Sequence, residues 1–580
     1  MMLDRLQWLL TTPTSTRDVR RTLWFSASIA AAILYAGLGL REAFSSAYVI
    51  HDDVRSHVFW MWRFFDASLF SNDLIADYFQ SVAPHGYTAL YRAAAALGLD
   101  PLTFNKLLPL PIALVATGYC FWLTLSILPV PAAGFMAATL LNQAIWNTHD
   151  VASATPRAFI YPFFLAFLYY VLQRAMLPAL LAIVLQGLFY PQCLFLSSGV
   201  LVLRLLEWRQ GLRLSRQRPD YVLCVAGLGM AFIMLLPYAL KISDYGPVLT
   251  VAEARSLPTL EGDGRKNFFF DNPLKFWLCG ERSGILPYSW CKYERPPELW
   301  ASLLLPLLLW RSRRASQNTL GHKVTPDVAL LLQVIAASVG MFFLAHALLF
   351  RLHLPSRYIK HSVPMVVTIA AGVSLVLLLE AGLQWAKRRR SRQNLAALGV
   401  VGLVGLYSFG YPLLMDEYPN PDYVAAQSTS MYEFLARQPK DALVASLSDQ
   451  ANNIPALAKR SVLSSSETAN PYHLGYYRQI QARTEDLMAA QYSVTPSVVR
   501  DFVETYGVDL WLVDANAFEA EYISQNPWLR QIQPTADEAR QRLSQGQRPL
   551  LETLIRPCRA FRGQGRIILD AQCIVERLSE

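Results

Sequence analysis

The stretch Tyr48-Val49-Ile50-His51-Asp52-Asp53-Val54-Arg55-Ser56-His57 follows the first long apolar run of the chain, at 22–40. Its two adjacent carboxylates stand between a histidine and an arginine, just before the apolar sequence Val58-Phe59-Trp60-Met61-Trp62. A lone aspartate here would be interpreted as part of a solvated loop. We expect the apolar residues to form an amphipathic helix along a membrane surface. Charges held against such a helix are costly, so a functional site is the favoured interpretation of this stretch.

The composition of the whole chain indicates a membrane protein. Of its 580 residues, 53% are hydrophobic and 16% are charged, whereas an ordinary soluble domain is roughly 25% charged. This excludes a cytosolic multidomain enzyme, a disordered protein and a secreted disulfide scaffold. The net charge of +9 does not indicate a nucleic-acid partner, because most basic clusters lie between apolar runs, where they set membrane topology.

About eleven apolar runs are predicted to cross the bilayer as helices, since roughly 20 apolar residues span its hydrocarbon core. The run at 176–206 is broken at Gly187 and at Tyr190-Pro191-Gln192. It fits two short spans that meet at a tight turn, or one kinked re-entrant pair. The predicted spans are 22–40, 107–127, 131–147, 158–173, 176–190, 193–206, 221–240, 298–310, 328–350, 362–384 and 395–414.

Four basic clusters predict the orientation of these spans, because positively charged loops stay in the cytoplasm. The N-terminus is then cytoplasmic, and the first segment, which lacks a cleavage site, is a retained span. The loops 41–106, 148–157, 241–297 and 351–361, and everything after about 415, are expected outside. The clusters are Arg17, Arg20 and Arg21; Arg209, Arg213, Arg216 and Arg218; Arg311, Arg313 and Arg314; and Lys387, Arg388, Arg389, Arg390 and Arg392.

The cysteines agree with this topology. Cys279 with Cys291 and Cys558 with Cys573 form two close pairs in segments predicted to lie outside, where an oxidising compartment favours disulfides. Three further cysteines fall inside apolar spans, where a thiol behaves as a small hydrophobe. These are Cys120, Cys193 and Cys224.

The last part of the chain has a different composition. The polar, proline-rich segment 416–421 reads as a linker. It separates a membrane module, 1–414, from a soluble extracytoplasmic α/β domain, 415–580. In that domain we predict strands at Ala442–Leu447, Ser461–Ser465, Val508–Asp514 and Arg566–Asp570, and helices at 426–437, 476–490 and 495–506.

Two more outer loops carry residues suited to chemistry. Asn147-Thr148-His149-Asp150 follows the third span, and Arg157 begins the next one, either as a site residue or as an interface anchor. The loop Leu354-Pro355-Ser356-Arg357-Tyr358-Ile359-Lys360-His361 crowds cations against the bilayer. Arginine binds phosphate as a planar fork and lysine as a point charge. This density of cations therefore suits an anionic lipid headgroup.

Together the three loops suit a reaction with a lipid phosphate ester. In sugar transfer from a polyprenyl phosphate, the leaving group is already a stable anion, so cations are needed to hold it but a general acid is not. The acceptor hydroxyl does need a base, and a carboxylate within hydrogen-bond reach can serve.

Asp52-Asp53 follows the first span, Asp150 lies in the next outer loop, and Arg357-Tyr358 lies late in the membrane part, which an outer α/β domain follows. In these features the chain resembles the GT-C glycosyltransferases. The resemblance covers the architecture of the whole chain, but its motifs are short and assign no subfamily. It implies an integral membrane enzyme that uses polyprenyl-phosphate sugars, with inversion at the anomeric carbon. Either Asp52 or Asp53 would be the catalytic base. Asp150 would assist the acceptor or a divalent cation such as Mg²⁺ or Mn²⁺, and donor phosphate would bind Arg357, Tyr358, Lys360 and Arg157.

Other residues are candidates for the acceptor side, namely His51, His57, His149, Glu281 and Glu467. Glu281 lies beside Cys279 in a loop that could line an acceptor groove or serve as disulfide-stapled scaffold. Glu467, with His473, follows a strand end where ligands often bind in α/β folds, but either residue could equally cap the next helix. The sequence shows no metal-ligand spacing and no nucleophile elbow.

Two other functions remain open at this point. A transporter or flippase-like protein would place charges at mid-span and show broken helices in corresponding halves, whereas here the polar residues gather at one face. A ligase using lipid-linked glycans is the other alternative. For the enzyme, a multi-pass protein of the bacterial inner membrane with a periplasmic C-terminal domain is expected, and its acceptor would be a glycan, a lipid or a protein.

Overall fold

The computed structural model describes residues 2–208, 212–262, 264–292, 296–314, 319–389 and 392–580. Arg209 and Arg390 of the predicted basic clusters lie outside these described residues. Helices are present at all eleven predicted positions. They run Val19–Leu40, Pro109–Ile127, Pro131–Trp146, Ile160–Leu172, Met176–Phe189, Cys193–Arg204, Arg218–Leu240, Pro297–Leu303 with Leu305–Arg314, Ala329–Ala347, Ser362–Lys387 and Gln393–Gly410.

Six helical segments in the described part of the chain are long and apolar enough to cross a membrane. The segments Pro156–Leu172, Met176–Phe189 and Cys193–Arg204 are apolar but shorter. These apolar helices indicate a helical, multi-pass membrane protein. The count of eleven crossings stays a prediction. The six long segments are Val19–Leu40, Pro101–Ile127, Arg218–Leu240, Pro326–Ala347, Arg357–Lys387 and Gln393–Leu414.

The centre of the bundle is the helix Pro131–Trp146, in which every residue except Phe135 and Ala144 is buried. Its alanines allow the helix Ser362–Lys387 to approach closely at Gly372. A Cβ atom added to Gly372 would lie 2.6 Å from the backbone nitrogen of Ala137. Small residues at such crossings let membrane helices pack backbone to backbone.

We expect the variant Gly372→Ala to destabilise the bundle by about 1–3 kcal/mol, because the backbone of the facing helix cannot yield to the added methyl group. Gly402→Ala is the matched control, since no atom lies within 4 Å of the Cβ it would add. The measurement is the midpoint of thermal unfolding in detergent. Equal midpoints for the two variants would contradict the close approach.

The segments beside the basic clusters meet at one end of the bundle. The Thr325 backbone N–H donates to the Ile127 carbonyl at 2.9 Å, and Arg174 Nε lies 3.0 Å from Asp220 Oδ1. Arg204 Nη2 similarly lies 2.7 Å from Asp327 Oδ1. The long loops and the C-terminal part gather at the opposite end, as the candidate site below shows.

The C-terminal part contains a five-stranded mixed sheet in the order β6 (Ser461–Val462), β5 (Leu443–Ser446), β7 (Leu510–Asp514), β9 (Arg566–Asp570) and β8 (Arg559–Gly563). Four of its strands lie where the sequence predicts them, and the helices Thr429–Ala436, Leu474–Gln491 and Pro496–Tyr506 match the three predicted ones. The edge strand β8 was not predicted because its charged residues face solvent. The strands are β1 Val49–His51, β2 Leu206–Trp208, β3 Leu212–Leu214, β4 Tyr423–Ala425, β5 Leu443–Ser446, β6 Ser461–Val462, β7 Leu510–Asp514, β8 Arg559–Gly563 and β9 Arg566–Asp570.

The apolar run after Asp53 does not lie on a membrane surface, so that prediction is wrong. Residues Phe59–Phe64 form a short 3-10 helix whose Phe59, Trp60 and Met61 are fully buried. Trp62 Nε1 donates to the Ala456 carbonyl at 3.3 Å. An apolar stretch can be buried by protein as well as by lipid, and here the C-terminal part covers it. One apolar core accordingly continues from the membrane helices into residues 431–480.

Two disulfides lie in the loops and the C-terminal part. Cys279 is bonded to Cys291, and Cys558 is bonded to Cys573. Three cysteines of the membrane helices are free and buried, namely Cys120, Cys193 and Cys224.

Candidate active site

The first loop is paired with the chain segment that follows the last membrane helix. Strands β1 and β4 are antiparallel, with His51 opposite Tyr423. The Asp52 backbone N–H then donates to the Asp422 carbonyl at 3.2 Å. This pairing joins residues about 370 positions apart and fixes the Asp52-Asp53 doublet beneath the C-terminal part.

A cavity of about 480 Å³ opens at this end of the bundle, which we call the loop face. Its wall is built from nine separate segments of the chain, so it forms only in the folded protein. Its carboxylates are Asp52, Asp53, Glu281, Asp422 and Glu467, its cations are Arg157, Lys266, Arg282, Lys292, Arg357 and Lys360, and its histidines are His51, His57, His149 and His353.

Arg157 lies between two carboxylates. Its Nε is 3.0 Å from Asp150 Oδ1, and its Nη2 forms an ion pair with Asp53 Oδ2. Burial raises the pKa of Asp53, but Arg157 and then His51, His57 and His149 outweigh that effect and hold it well below its usual range. Arg157 therefore lines the cavity beside Asp53, and Asp53 is ionised at neutral pH.

Asp150 lies behind the cavity wall, with a fully buried side chain. Lys360 Nζ donates to its Oδ1 at 3.0 Å, and His361 Nδ1 lies 3.6 Å from its Oδ2. Burial raises the pKa of this carboxyl, but Lys360 and Arg157 outweigh burial and keep it well below the ordinary value. Because its contacts are with cations, Asp150 is placed to hold the side chains of Arg157 and Lys360 in position.

The Asp52-Asp53 doublet is divided between two environments. Asp52 is paired with Arg55, and its side chain is 39% exposed, against 18% for Asp53. Arg55 also reaches Glu467, with its Nη2 3.4 Å from Oε2. Asp52 therefore helps to fasten the first loop to the C-terminal part, whereas Asp53 faces Arg157.

Glu467 lines the cavity and bridges three loops. It is paired with Arg55, with Arg265, and with Lys266 Nζ at 3.6 Å. Burial raises its pKa, but Lys266, Arg265 and Arg55 outweigh burial and lower it overall. His473 lies away from this cluster, where its Nδ1 hydrogen-bonds the Tyr78 hydroxyl at 3.0 Å.

Arg357 is one of the arginines that line the cavity. Its guanidinium has no carboxylate within ion-pair distance in the described part of the chain, whereas Arg282 lies 3.6 Å from Glu281 and Lys360 contacts Asp150. Tyr358 does not join them, because its buried hydroxyl donates to the Leu352 carbonyl at 2.8 Å. Among the described residues, Arg357 is thus the cavity arginine without a carboxylate counter-ion.

No protein-family model matches the chain, and no curated protein sequence matches it. The chain is similar, however, to several solved structures. One is the archaeal oligosaccharyltransferase AglB from Archaeoglobus fulgidus in complex with an inhibitory peptide and a dolichol-phosphate, with 10% identity, a TM-score of 0.54, and 89% of this chain and 72% of that chain covered. The same enzyme tethered to an acceptor peptide has 11% identity, a TM-score of 0.52 and the same coverage. The chain has the GT-C fold. ArnT from Cupriavidus metallidurans bound to undecaprenyl phosphate is also similar, with 12% identity, a TM-score of 0.42, and 95% and 98% of the two chains covered.

In this GT-C fold the cavity histidines are neutral. Burial lowers the pKa of His51 to about 4 and that of His149 to about 3, and it also lowers that of His57. At neutral pH these rings therefore offer hydrogen bonds but no charge. His51 uses its Nδ1 to accept the Asp53 backbone N–H at 3.0 Å, which orients the start of the Asp53 turn.

Several cavity residues of the GT-C fold were missed by sequence reasoning, chiefly Asp422, Tyr190, Lys266 and His353. Tyr190 lies in the Tyr190-Pro191-Gln192 break between two apolar runs, and this break could have marked it as a candidate site residue. Arg282 adjoins Glu281, the loop residue whose role was left open. Nothing local marks Asp422, because only the β1–β4 pairing brings it to the site.

The cavity residues do not fit a bound divalent cation. Among the described residues, no group of three or more histidine, cysteine, aspartate or glutamate side chains is arranged to hold a metal ion. Four of the five lining carboxylates already contact arginine or lysine. We therefore assign no step to a metal ion.

Proposed function

We propose that this protein is a membrane glycosyltransferase that moves a sugar from a polyprenyl-phosphate donor to a glycan, lipid or protein acceptor. The observation that carries the proposal is one cavity, on a GT-C fold, that is lined both by carboxylates and by Arg357, which has no carboxylate within ion-pair distance among the described residues. A cation without a protein counter-ion at the membrane boundary suits an anionic lipid headgroup. In the AglB structure that is similar, the bound molecule is a dolichol-phosphate.

On this proposal Arg357 and Lys360 bind the donor phosphate and stabilise the charge that it gains as the sugar leaves. A carboxylate of the cavity takes the proton of the acceptor hydroxyl. Of the aspartates selected from sequence, Asp53 is the one that both lines the cavity and contacts Arg157, whereas Asp150 lies behind the wall and Asp52 is tied to Arg55. Attack from the face opposite the phosphate inverts the anomeric carbon.

We also propose the predicted arrangement in the cell. Residues 1–414 form the membrane module and 415–580 the extracytoplasmic α/β domain, with the N-terminus in the cytoplasm. The described residues of the basic clusters support this, since the segments beside them meet at the end of the bundle away from the loop face. The site would then act at the outer face of a bacterial inner membrane.

Transfer of radiolabelled sugar in membranes, from a panel of polyprenyl-phosphate sugars, tests the function. We expect transfer by the wild type and a loss of about 10²-fold or more in Asp53→Asn, since the change removes the partner of Arg157. Asp327→Asn, which alters an ion pair at the far end of the bundle, should retain transfer. Lack of wild-type transfer from every donor would refute the proposal and favour a transporter.

A further inference from the structure

The carboxylates that line the cavity are not equally able to accept a proton. Asp52 is paired with Arg55, Asp53 with Arg157, and Glu281 lies 3.6 Å from Arg282. Glu467 is paired with Arg55, Arg265 and Lys266. A carboxylate held by a guanidinium or an ammonium is a weak base, because the cation stabilises its ionised form.

Asp422 differs from the other four. In the part of the chain that the structure describes, no arginine or lysine lies within ion-pair distance of its side chain. Its side chain lies near the neutral ring of His149, whose Nδ1 is 3.5 Å from Asp422 Oδ2. The Asp422 side chain is 58% exposed, and it lines the cavity. Among the described residues, Asp422 is therefore the accessible cavity carboxylate without an arginine or lysine partner.

The backbone holds Asp422 in an unusual conformation. Its φ is +59°, in the left-handed region that aspartate adopts more readily than most residues other than glycine. The carbonyl of Asp422 accepts the Asp52 N–H, and the next residue opens strand β4. The strand pairing therefore fixes Asp422 directly beside the Asp52-Asp53 doublet.

We propose that Asp422 is the general base of the sugar transfer, an inference that rests on the proposed function. The acceptor oxygen forms a bond to the anomeric carbon while the bond from that carbon to the phosphate oxygen breaks. The electron pair leaves with the polyprenyl phosphate, which Arg357 and Lys360 hold. The acceptor proton passes to the Asp422 carboxylate. Asp53 then keeps Arg157 in place rather than accepting the proton.

The charges around Asp422 agree with this role. Burial raises its pKa, and so do the facing carboxylates Asp53 and Glu281, whereas Lys292 and Arg157 oppose that rise. His149, which lies beside Asp422 and belongs to the outer loop 148–157, has a pKa of about 3 and stays neutral. The rate should therefore fall as pH drops through the raised pKa of Asp422, because the base becomes protonated.

The test compares Asp422→Asn, Asp422→Glu and wild type for single-turnover transfer in reconstituted membranes, and measures donor affinity separately. The control is Asp416→Asn, an exposed aspartate six positions earlier that does not line the cavity. We expect Asp422→Asn to lose about 10²–10⁴-fold in rate with unchanged donor affinity. Asp422→Glu should recover part of that loss, and the control should match wild type.

The pH profile separates a base from a structural residue. The wild type should show an acidic limb, and the residual activity of Asp422→Asn should lack it. If wild type transfers sugar and Asp422→Asn is equally active, or if Asp53→Asn removes the acidic limb instead, Asp422 is not the base although the enzyme function stands. If wild type transfers nothing from any donor, both the function and this assignment are refuted.

Discussion

Replacement of Asp150 by asparagine is expected to lower the free energy of unfolding by about 3–5 kcal/mol and to remove sugar transfer. The reason is that Asp150 is fully buried and neutralises Arg157 and Lys360. Breaking a buried ion pair from one side leaves an uncompensated charge, which costs far more than the pair gains. Because both cations also line the cavity, the loss of position should appear in activity as well.

Thermal unfolding in detergent and sugar transfer measure the two effects of Asp150→Asn. Asp327→Asn is the matched control, since it breaks an ion pair whose aspartate is 36% exposed, and such pairs contribute about 0–1 kcal/mol. An Asp150→Asn protein as stable and active as Asp327→Asn would show that the Asp150 cluster does not organise the site.

The same carboxylate predicts an acid limit for stability. The pKa of Asp150 is well below its ordinary value in the folded protein, because Lys360 and Arg157 outweigh the effect of burial. Its contribution to stability is therefore fully present above the unfolded pKa of about 3.9 and is lost as pH falls further. We expect Asp150→Asn to remove part of the acid destabilisation that wild type shows below about pH 4.

Local signals predicted much of the fold and part of the site. Apolar runs placed the helices, because a span needs a fixed length of apolar residues whatever its neighbours are. The carboxylates and cations of the loops could also be selected from the sequence, because charged residues beside apolar runs are rare. The Asp52-Asp53 doublet and Arg357 both line the cavity that the structure reveals.

Long-range contacts could not be predicted in the same way. Asp422 reaches the site through strands of three residues each, which carry too little pattern to be recognised. The run Phe59–Phe64 has an apolar composition that suits lipid or protein equally, and only the fold decides for protein. Asp52 and Asp53 are adjacent, and the different positions of Arg55 and Arg157 give them different partners.

The second large effect is expected for Arg357→Ala, which should lower kcat/KM by about 10²–10³-fold. Arg357 lines the cavity without a carboxylate partner in the described part of the chain, so its removal leaves no buried charge behind. The loss should therefore appear in donor binding and transfer, while the midpoint of thermal unfolding stays near that of wild type.

Comparison with neighbouring variants tests the role of Arg357 as the phosphate ligand. Arg351→Ala is the matched control, because Arg351 is exposed and does not line the cavity. Arg357→Lys should recover only part of the activity, since an ammonium binds phosphate as a point charge and lacks the planar fork. The decisive measurement is the affinity for polyprenyl phosphate alone. If Arg357→Ala binds that lipid as wild type does, the headgroup is held elsewhere and Arg357 is not the ligand of the donor phosphate.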